Sequence, residues 1–488
     1  MRMTWNARRN PVFPILLAGF AAVAIGWTSS LAAGQAESQR QVTFTKDIAP
    51  ILQRSCQRCH RPGGGGPMSL ITYEDVRPWA RSIKLRTGLR DKSDAMPPWF
   101  VEKNIGIQKF KDDPSLSDEE IAKIAQWVDG GAVRGNPADM PPPRQFAKAD
   151  TWNIGTPDLI VSSVPVTVKA VAPDWHGTIN PVPTGLTEDR YIKAVEFKEV
   201  RLEGPSGRVG GAAGDLNYFL LHHADVTSDP VDFSGAQPEE VVDREIPSAE
   251  DAAKSEAPFR VVYELGQNAM VYSDDAAQLL AAGSTLYYGI HLHSVGKEVP
   301  IRIDIGFKFH PRGFKPRYKG SRIATMGGGP AGEDLLDIPA GQDNVRFDSF
   351  YTMRQPGKMM TYEPHMHASG KRFCLEAIYP NGVREMLNCS GYNHNWVKTY
   401  VYQDDVAPLL PQGTIMHLIG WYDNSAGNRR NTEPRNWKGW GNITIEDMFL
   451  HLPQMIFLTR EQFDEQVAAR KATQRLTTPA SRTGGQSR

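Results

Sequence analysis

Ile301-Arg302-Ile303-Asp304-Ile305-Gly306-Phe307-Lys308-Phe309 places a large apolar side chain at every second position, with charged or small residues between. Side chains alternate across a strand, so the run reads as a half-buried β-strand with its isoleucines and phenylalanines turned inward. Short strands of this kind recur to about residue 460, separated by Gly, Pro, Asn and Asp. That spacing predicts β-sandwich or jelly-roll domains, and 44 Gly with 36 Pro agree with turn-rich β architecture. The loop-rich stretch 311–332 divides them into all-β domains over 152–310 and 333–465. The polar tail 466–488 is expected to be disordered.

Towards the N-terminus the period changes. Residues 43–135 carry the helical signals: Ser117 and Glu120 form a capping box, and Ile121, Ile124, Ala125 and Val128 recur on one face until Gly130-Gly131 stops the helix. A Pro-rich linker, 136–151, follows. Residues 1–36 read as an export signal: Arg2, Arg8 and Arg9, an uncharged apolar run from Ile15 to Trp27, then Ser30, Ala32, Ala33 and Ala36. A periplasmic or secreted protein without stable membrane insertion is expected, because the run is short and no second one follows. With 55 basic and 55 acidic residues the formal charge is zero, which gives no handle for nucleic acid or an anionic membrane surface.

Four cysteines fall into two pairs. Cys374 and Cys389 flank Pro380-Asn381-Gly382-Val383. A two-residue type I′ turn at Asn381-Gly382 pairs residues whose numbers sum to 763, as these two do. A disulfide is then plausible at a hydrogen-bonded pair with Cα atoms about 5.5 Å apart; two buried thiols are the alternative.

The other pair lies in Cys56-Gln57-Arg58-Cys59-His60, the spacing for covalent haem c: two thiols bond the haem edge and His60 ligates iron. A thioredoxin-like pair or half a zinc site would want a βαβ pattern or a second Cys pair, and neither is present. Met96, in Ala95-Met96-Pro97-Pro98-Trp99, is the expected sixth ligand, with Met68 as its rival. The stretch resembles small bacterial c-type cytochrome domains through Asp47 to Leu52, the haem motif, Met96 to Trp99 and the Leu116 to Glu120 helix start. The expected fold class is therefore multidomain: a small all-α cytochrome c domain followed by two all-β domains.

Of twelve histidines, three clusters stand out: His222-His223, His291-Leu292-His293 and His365-Met366-His367. Residues i and i+2 of a strand share a face, about 6.6 Å apart, so an H-x-H pair can grip one metal. Adjacent histidines share one only where a bulge or strong twist re-aims a side chain. A single such pair is more often a surface or core feature than a ligand set. Imidazole suits zinc, copper, iron and nickel, and a thioether partner selects copper(I). His176, His310, His394 and His451 lack a partner at metal spacing and read as structural.

From about Trp152 to Leu458 the chain resembles the copper type II, ascorbate-dependent monooxygenases, the family of peptidylglycine α-hydroxylating and dopamine β-monooxygenases. The resemblance rests on Leu220-Leu221-His222-His223, Gly289-Ile290-His291-Leu292-His293, His365-Met366-His367-Ala368-Ser369-Gly370-Lys371, Met416 with Gly420 to Asp423, and Glu446-Asp447-Met448. It implies that His222, His223 and His291 bind an electron-transfer copper, while His365, His367 and Met416 form the catalytic copper site, His417 being the alternative to Met416. It also implies a small-molecule substrate and O2, with a C–H bond hydroxylated at the second of two copper ions. An external donor, ascorbate or a redox protein, would feed electrons through the haem. Two features depart from the family: it is rich in disulfides, and peptide-amidating members carry Arg where Glu363 stands here. The alternative functional class is a non-catalytic periplasmic electron-transfer or copper-binding protein. A haem–copper nitrite reductase would want a blue-copper Cys, and none lies near the His clusters.

Overall fold

Strand Val299–Phe309 is the spine of the first β module. It pairs antiparallel with Leu159–Ser162 on one side and Arg190–Arg201 on the other, within a six-stranded sheet. Ile301, Ile303, Ile305 and Phe307 are completely buried, each contributing about 1.5–3 kcal/mol of hydrophobic stabilisation. A four-stranded sheet shares their core, its strands ordered Trp175–Pro183, Thr285–Leu292, Leu221–Thr227 and Arg260–Glu264. Phe259 meets Phe307 edge-on at 5.5 Å.

The computed structural model describes residues 41–62, 66–146, 152–172, 175–202, 220–228, 258–264, 269–327, 336–441 and 445–477. The expected signal segment lies outside them. No helix among the described residues is long and apolar enough to cross a membrane.

The second β module has a four-stranded sheet ordered Val345–Thr352, Ile415–Tyr422, Gly370–Ile378 and Arg384–Gly391. A second sheet of short strands runs Gly320–Ile323, Gln454–Phe457, Gly357–Met359 and Leu409–Leu410. Met359, Tyr362, Phe373, Leu375, Met416 and Leu418 fill the core of this module. Helix Arg460–Thr477 extends into the stretch expected as a tail.

Cys374 and Cys389 are disulfide-bonded and are direct cross-strand partners. The turn expectation, however, is off by one. Ile378 pairs with Arg384, a sum of 762, around a longer turn in which Gly382 has φ 81° and Tyr379 N donates to Val383 O. A register shift between Leu375 and Glu376 then restores the sum of 763 at the cysteines. Their Cα atoms are 4.1 Å apart, the spacing of a non-hydrogen-bonded rather than a hydrogen-bonded pair. Closing a loop with sequence separation 15 contributes about 3 kcal/mol by the chain-entropy argument.

The expected all-α cytochrome domain is not present. Of the described residues 36% are strand and 17% helix, and the helices between residues 49 and 129 are short: Ala49–Ser55, Tyr73–Val76, Ala80–Gly88 and Asp118–Asp129. They do enclose a small core around Phe44, Leu52, Ile83, Ile124 and Trp127. After Pro97-Pro98, however, the chain becomes extended, and its backbone groups find partners on the second β module. Gly391 N donates to Phe100 O, Glu102 N to Cys389 O, Ile107 N to Leu387 O and Lys111 N to Val401 O. Proline removes donors and blocks helix, so the extended segment must satisfy its polar backbone elsewhere. The edge strand Arg384–Gly391 supplies most of that ladder and strand Tyr400–Val401 the rest, and the helical segment is built onto the β body.

Candidate metal centre

In the four-stranded sheet of the first module, His223 faces His291 on one side and Glu264 on the other. The ladder to Thr285–Leu292 shifts register between Leu221 and His223, leaving His222 as the extra residue. Such a bulge turns a side chain that would otherwise point to the opposite face. His222, His223 and His291 consequently offer ligand atoms all within 4.8 Å of one another. Their ring centroids are 4.9–5.7 Å apart. The His293 ring lies 4.5 Å from that of His222. His222 Nε2 donates to the His394 carbonyl at 2.9 Å, which fixes the tautomer and makes Nδ1 its lone-pair nitrogen.

The second module brings His365, on the two-residue strand Pro364–His365, and His367 in the loop that follows. Their centroids are 5.8 Å apart. Asp447, fully buried, holds this loop: Oδ1 accepts from His367 N at 2.8 Å, and Oδ2 accepts from Ser369 N at 3.1 Å and from the Ser369 hydroxyl. His367 Nδ1 donates to Glu446 O at 3.2 Å, leaving Nε2 buried without a hydrogen-bond partner.

The two histidine sets are contiguous. His223 reaches His365 at 5.7 Å between centroids, and His394 lies 4.6 Å from His222 and 5.7 Å from His367. His394, expected to be structural, therefore sits between the sets, with neither ring nitrogen hydrogen-bonded. Burial, and then the neighbouring imidazoles, push His367 and His394 well below the usual histidine range. Both are neutral at physiological pH, the protonation state of a metal ligand. Glu264 is 1% exposed with neither oxygen in a hydrogen bond. It forms a second group with His223 and His365, ligand atoms again within 4.8 Å. Buried lone pairs without protein donors are costly unless a cation meets them, and imidazole with carboxylate suits copper(II) or another divalent transition ion. These donors fit a metal.

Met416 is fully buried in the apolar cluster that holds Leu418 and Tyr422. His417 is occupied: its Nδ1 lies 2.9 Å from Glu376, its Nε2 2.7 Å from Asp348, and its ring stacks on Phe350 at 4.4 Å. Both of its ring nitrogens are thus engaged by carboxylates. His310 stacks on Phe314 at 3.8 Å, and His451 is enclosed by Tyr362 and Phe373, with burial pushing its pKa down to about 3.

Cys56, Cys59 and His60 follow helix Ala49–Ser55. The two thiols are not bonded to each other, and burial pushes that of Cys56 up to about 12. His60 Nδ1 donates to Met68 O at 3.3 Å, leaving Nε2 as the lone-pair nitrogen. A Cβ on Gly66 would come within 2.5 Å of the His60 ring, so only glycine permits this approach. A cavity of about 790 Å³ is lined by Met96, Trp99, Phe110, Leu116 and Ile121, with Arg54 and Glu120, which both act electrostatically on Cys56. Its size is that of a cofactor site, and Met96 lines it whereas Met68 packs into the small helical core. Thiols not bonded to each other and an imidazole oriented by a carbonyl fit the donor set of a covalent haem, while Cys56, Cys59 and His60 are not among the residues lining this cavity. Lys398, four residues beyond His394, is electrostatically coupled to Cys59, and burial lowers its pKa to about 8.

No family model matches the chain, and no curated protein matches it. Among solved structures, the empty particle of cowpea mosaic virus is similar over 64% of this chain and 91% of that one, at 8% identity and TM-score 0.27. The infectious bursal disease virus Gx strain covers 62% and 73%, at 12% identity and TM-score 0.16. A variant oxalate decarboxylase of Bacillus subtilis covers 68% and 86%, at 10% identity and TM-score 0.13. Likeness at these scores carries no functional argument.

Proposed function

We propose that this chain is an exported, haem- and copper-dependent monooxygenase that hydroxylates a C–H bond of a small molecule with O2. One observation carries the reading: His222, His223 and His291 converge with His365 and His367 across the seam between two β modules, most of these rings being buried. Sequence resemblance to the copper type II monooxygenases supports the same assignment. His222, His223 and His291 would hold one ion, and His365, His367 and the soft sulfur of Met416 the other. When bound, copper supplies one-electron redox chemistry and O2 activation, and haem a tethered one-electron donor.

The chain's own groups do the positioning. The bulge at His222 aims two adjacent imidazoles to one side, the His394 carbonyl fixes the His222 tautomer, and Asp447 with the Glu446 carbonyl fixes His367. Cys56, Cys59 and His60 would hold haem, with Met96 as the second axial ligand. Lys398 acts electrostatically on Cys59 and His394 touches both metal sets, so the segment 394–398 runs between the haem motif and the seam.

The complete burial of His291 and His367 favours a second reading, a copper-binding electron-transfer protein without a substrate site. Copper and haem content followed by O2 uptake with a reductant separates them. Haem, copper and O2 uptake lost in Met416→Ile and His365→Ala are expected of the monooxygenase. Copper without O2 uptake supports the carrier, and a haem-loaded chain that takes up no copper overturns both.

A further inference from the structure

Glu264 ends strand Arg260–Glu264 at the seam and is the direct cross-strand partner of His223. Its Oε1 lies 3.2 Å from Nδ1 of His365, which belongs to the other β module, without the alignment of a hydrogen bond. The carboxylate is 1% exposed and accepts no hydrogen bond at either oxygen. A second carboxylate, Glu363, is equally buried and electrostatically coupled to it; its Oε2 accepts only from Thr399 at 2.6 Å, and Oε1 has no partner. The guanidinium that reaches Glu363, Arg260, is committed to Asp225 through three contacts of 2.6–3.1 Å. Arg260 and Asp225 neutralise each other, so neither oxygen of Glu264 meets an Arg or Lys partner. A buried charge without a counter-ion is strongly destabilising.

Resting on the reading that metal occupies this seam, we propose that Glu264 is itself a metal ligand: with His223 and His365 it holds a divalent first-row transition ion, one ion bound jointly by both β modules. The ligand atoms already lie within 4.8 Å of one another, and a two-imidazole, one-carboxylate set suits such ions. His223 belongs to both donor groups, and a neutral imidazole has one lone pair, so an ion held with Glu264 takes His223 and His365 in place of their separate sets. Occupancy here therefore ties a histidine of the first module to one of the second.

The test uses full-length, haem-loaded protein stripped of other metals and titrated with Cu2+ alone. In Glu264→Gln, copper affinity at one site should fall 10-fold or more, with a changed copper EPR spectrum. The metal-free variant should melt no lower than metal-free wild type, because an unpaired buried charge has been removed. Copper should also protect the seam of wild type, but not of Glu264→Gln, from limited proteolysis. Should Glu264→Gln not fold, Glu264→Asp keeps the charge, shortens the reach by one methylene and should give the same loss of affinity and changed spectrum. Unchanged affinity and spectrum in the folded variant overturn Glu264 as a ligand and leave the proposed function standing. Wild type that binds no Cu2+ overturns both.

Discussion

His223 and His365 lie ring to ring at 5.7 Å, one from a sheet of the first β module and the other from a two-residue strand of the second. The resemblance assigns these histidines to different copper ions, yet their shared neighbour Glu264 joins them in one donor group. The seam between the modules therefore brings donors of both modules within ligand reach of one another.

Asp447 holds the backbone of His367, Ser369 and Met448 at once. Asp447→Ala strands these buried donors and should cost about 3 kcal/mol or more of folding stability. Loss of such an orienting group should also weaken copper binding about 10–100-fold. Urea unfolding with a copper competition titration measures both, and stability loss at unchanged affinity would restrict Asp447 to a folding role.

His394 offers the opposite signature. Its two ring nitrogens are buried without hydrogen bonds, so His394→Phe should leave the metal-free protein as stable or more so, since a polar group without a partner has been replaced by an apolar ring. Copper affinity should fall about tenfold by loss of an imidazole touching both sets. Thermal melts with and without copper check the pair of outcomes, and melting at equal temperatures in both states would remove His394 from the centre.

Met96 lines the cavity beside the haem motif, and Met68 does not. Thioether ligation raises the reduction potential of haem iron, so Met96→His should lower the potential and change the haem spectrum. Met68→Leu should leave both unchanged. Redox titration of the two variants decides between the methionines.

Glu376 is held below the usual carboxylate range, first by its hydrogen bond to Arg384 and also by that to His417. A carboxyl with a depressed folded-state pKa stabilises fully above its unfolded value of about 4.3 and loses that contribution as pH falls through the folded value. Glu376→Gln should therefore cost about 1–3 kcal/mol at neutral pH. The difference from wild type should close as acid protonates the group. Urea midpoints at pH 7 and in acid test this, and a pH-independent difference would mean the charge is not responsible.

Local periodicity made part of the fold legible. Alternation in Ile301–Phe309 requires a strand with one face buried, and the Ser117 capping box starts the helix Asp118–Asp129. The pairing of Cys374 with Cys389 was also readable, although two offsets of one residue cancel to produce it. An independent helical domain was misread, because spacing along residues 43–135 does not reveal that Phe100 to Lys111 completes its hydrogen bonds on a distant strand edge.

By itself, the sequence singled out the candidate side chains: the haem-type Cys-x-x-Cys-His, the paired histidines and the thioethers are properties of local order. Tertiary structure alone decided that the histidine sets adjoin, that His417 is consumed by Glu376 and Asp348, and that Glu264 and His394 join the cluster. The physical reason is that spacing along a strand fixes which face a donor shares with its neighbours. The distance between donors from different sheets depends on how those sheets pack, and a lone Glu or His carries no periodic mark of the partner that packing will bring.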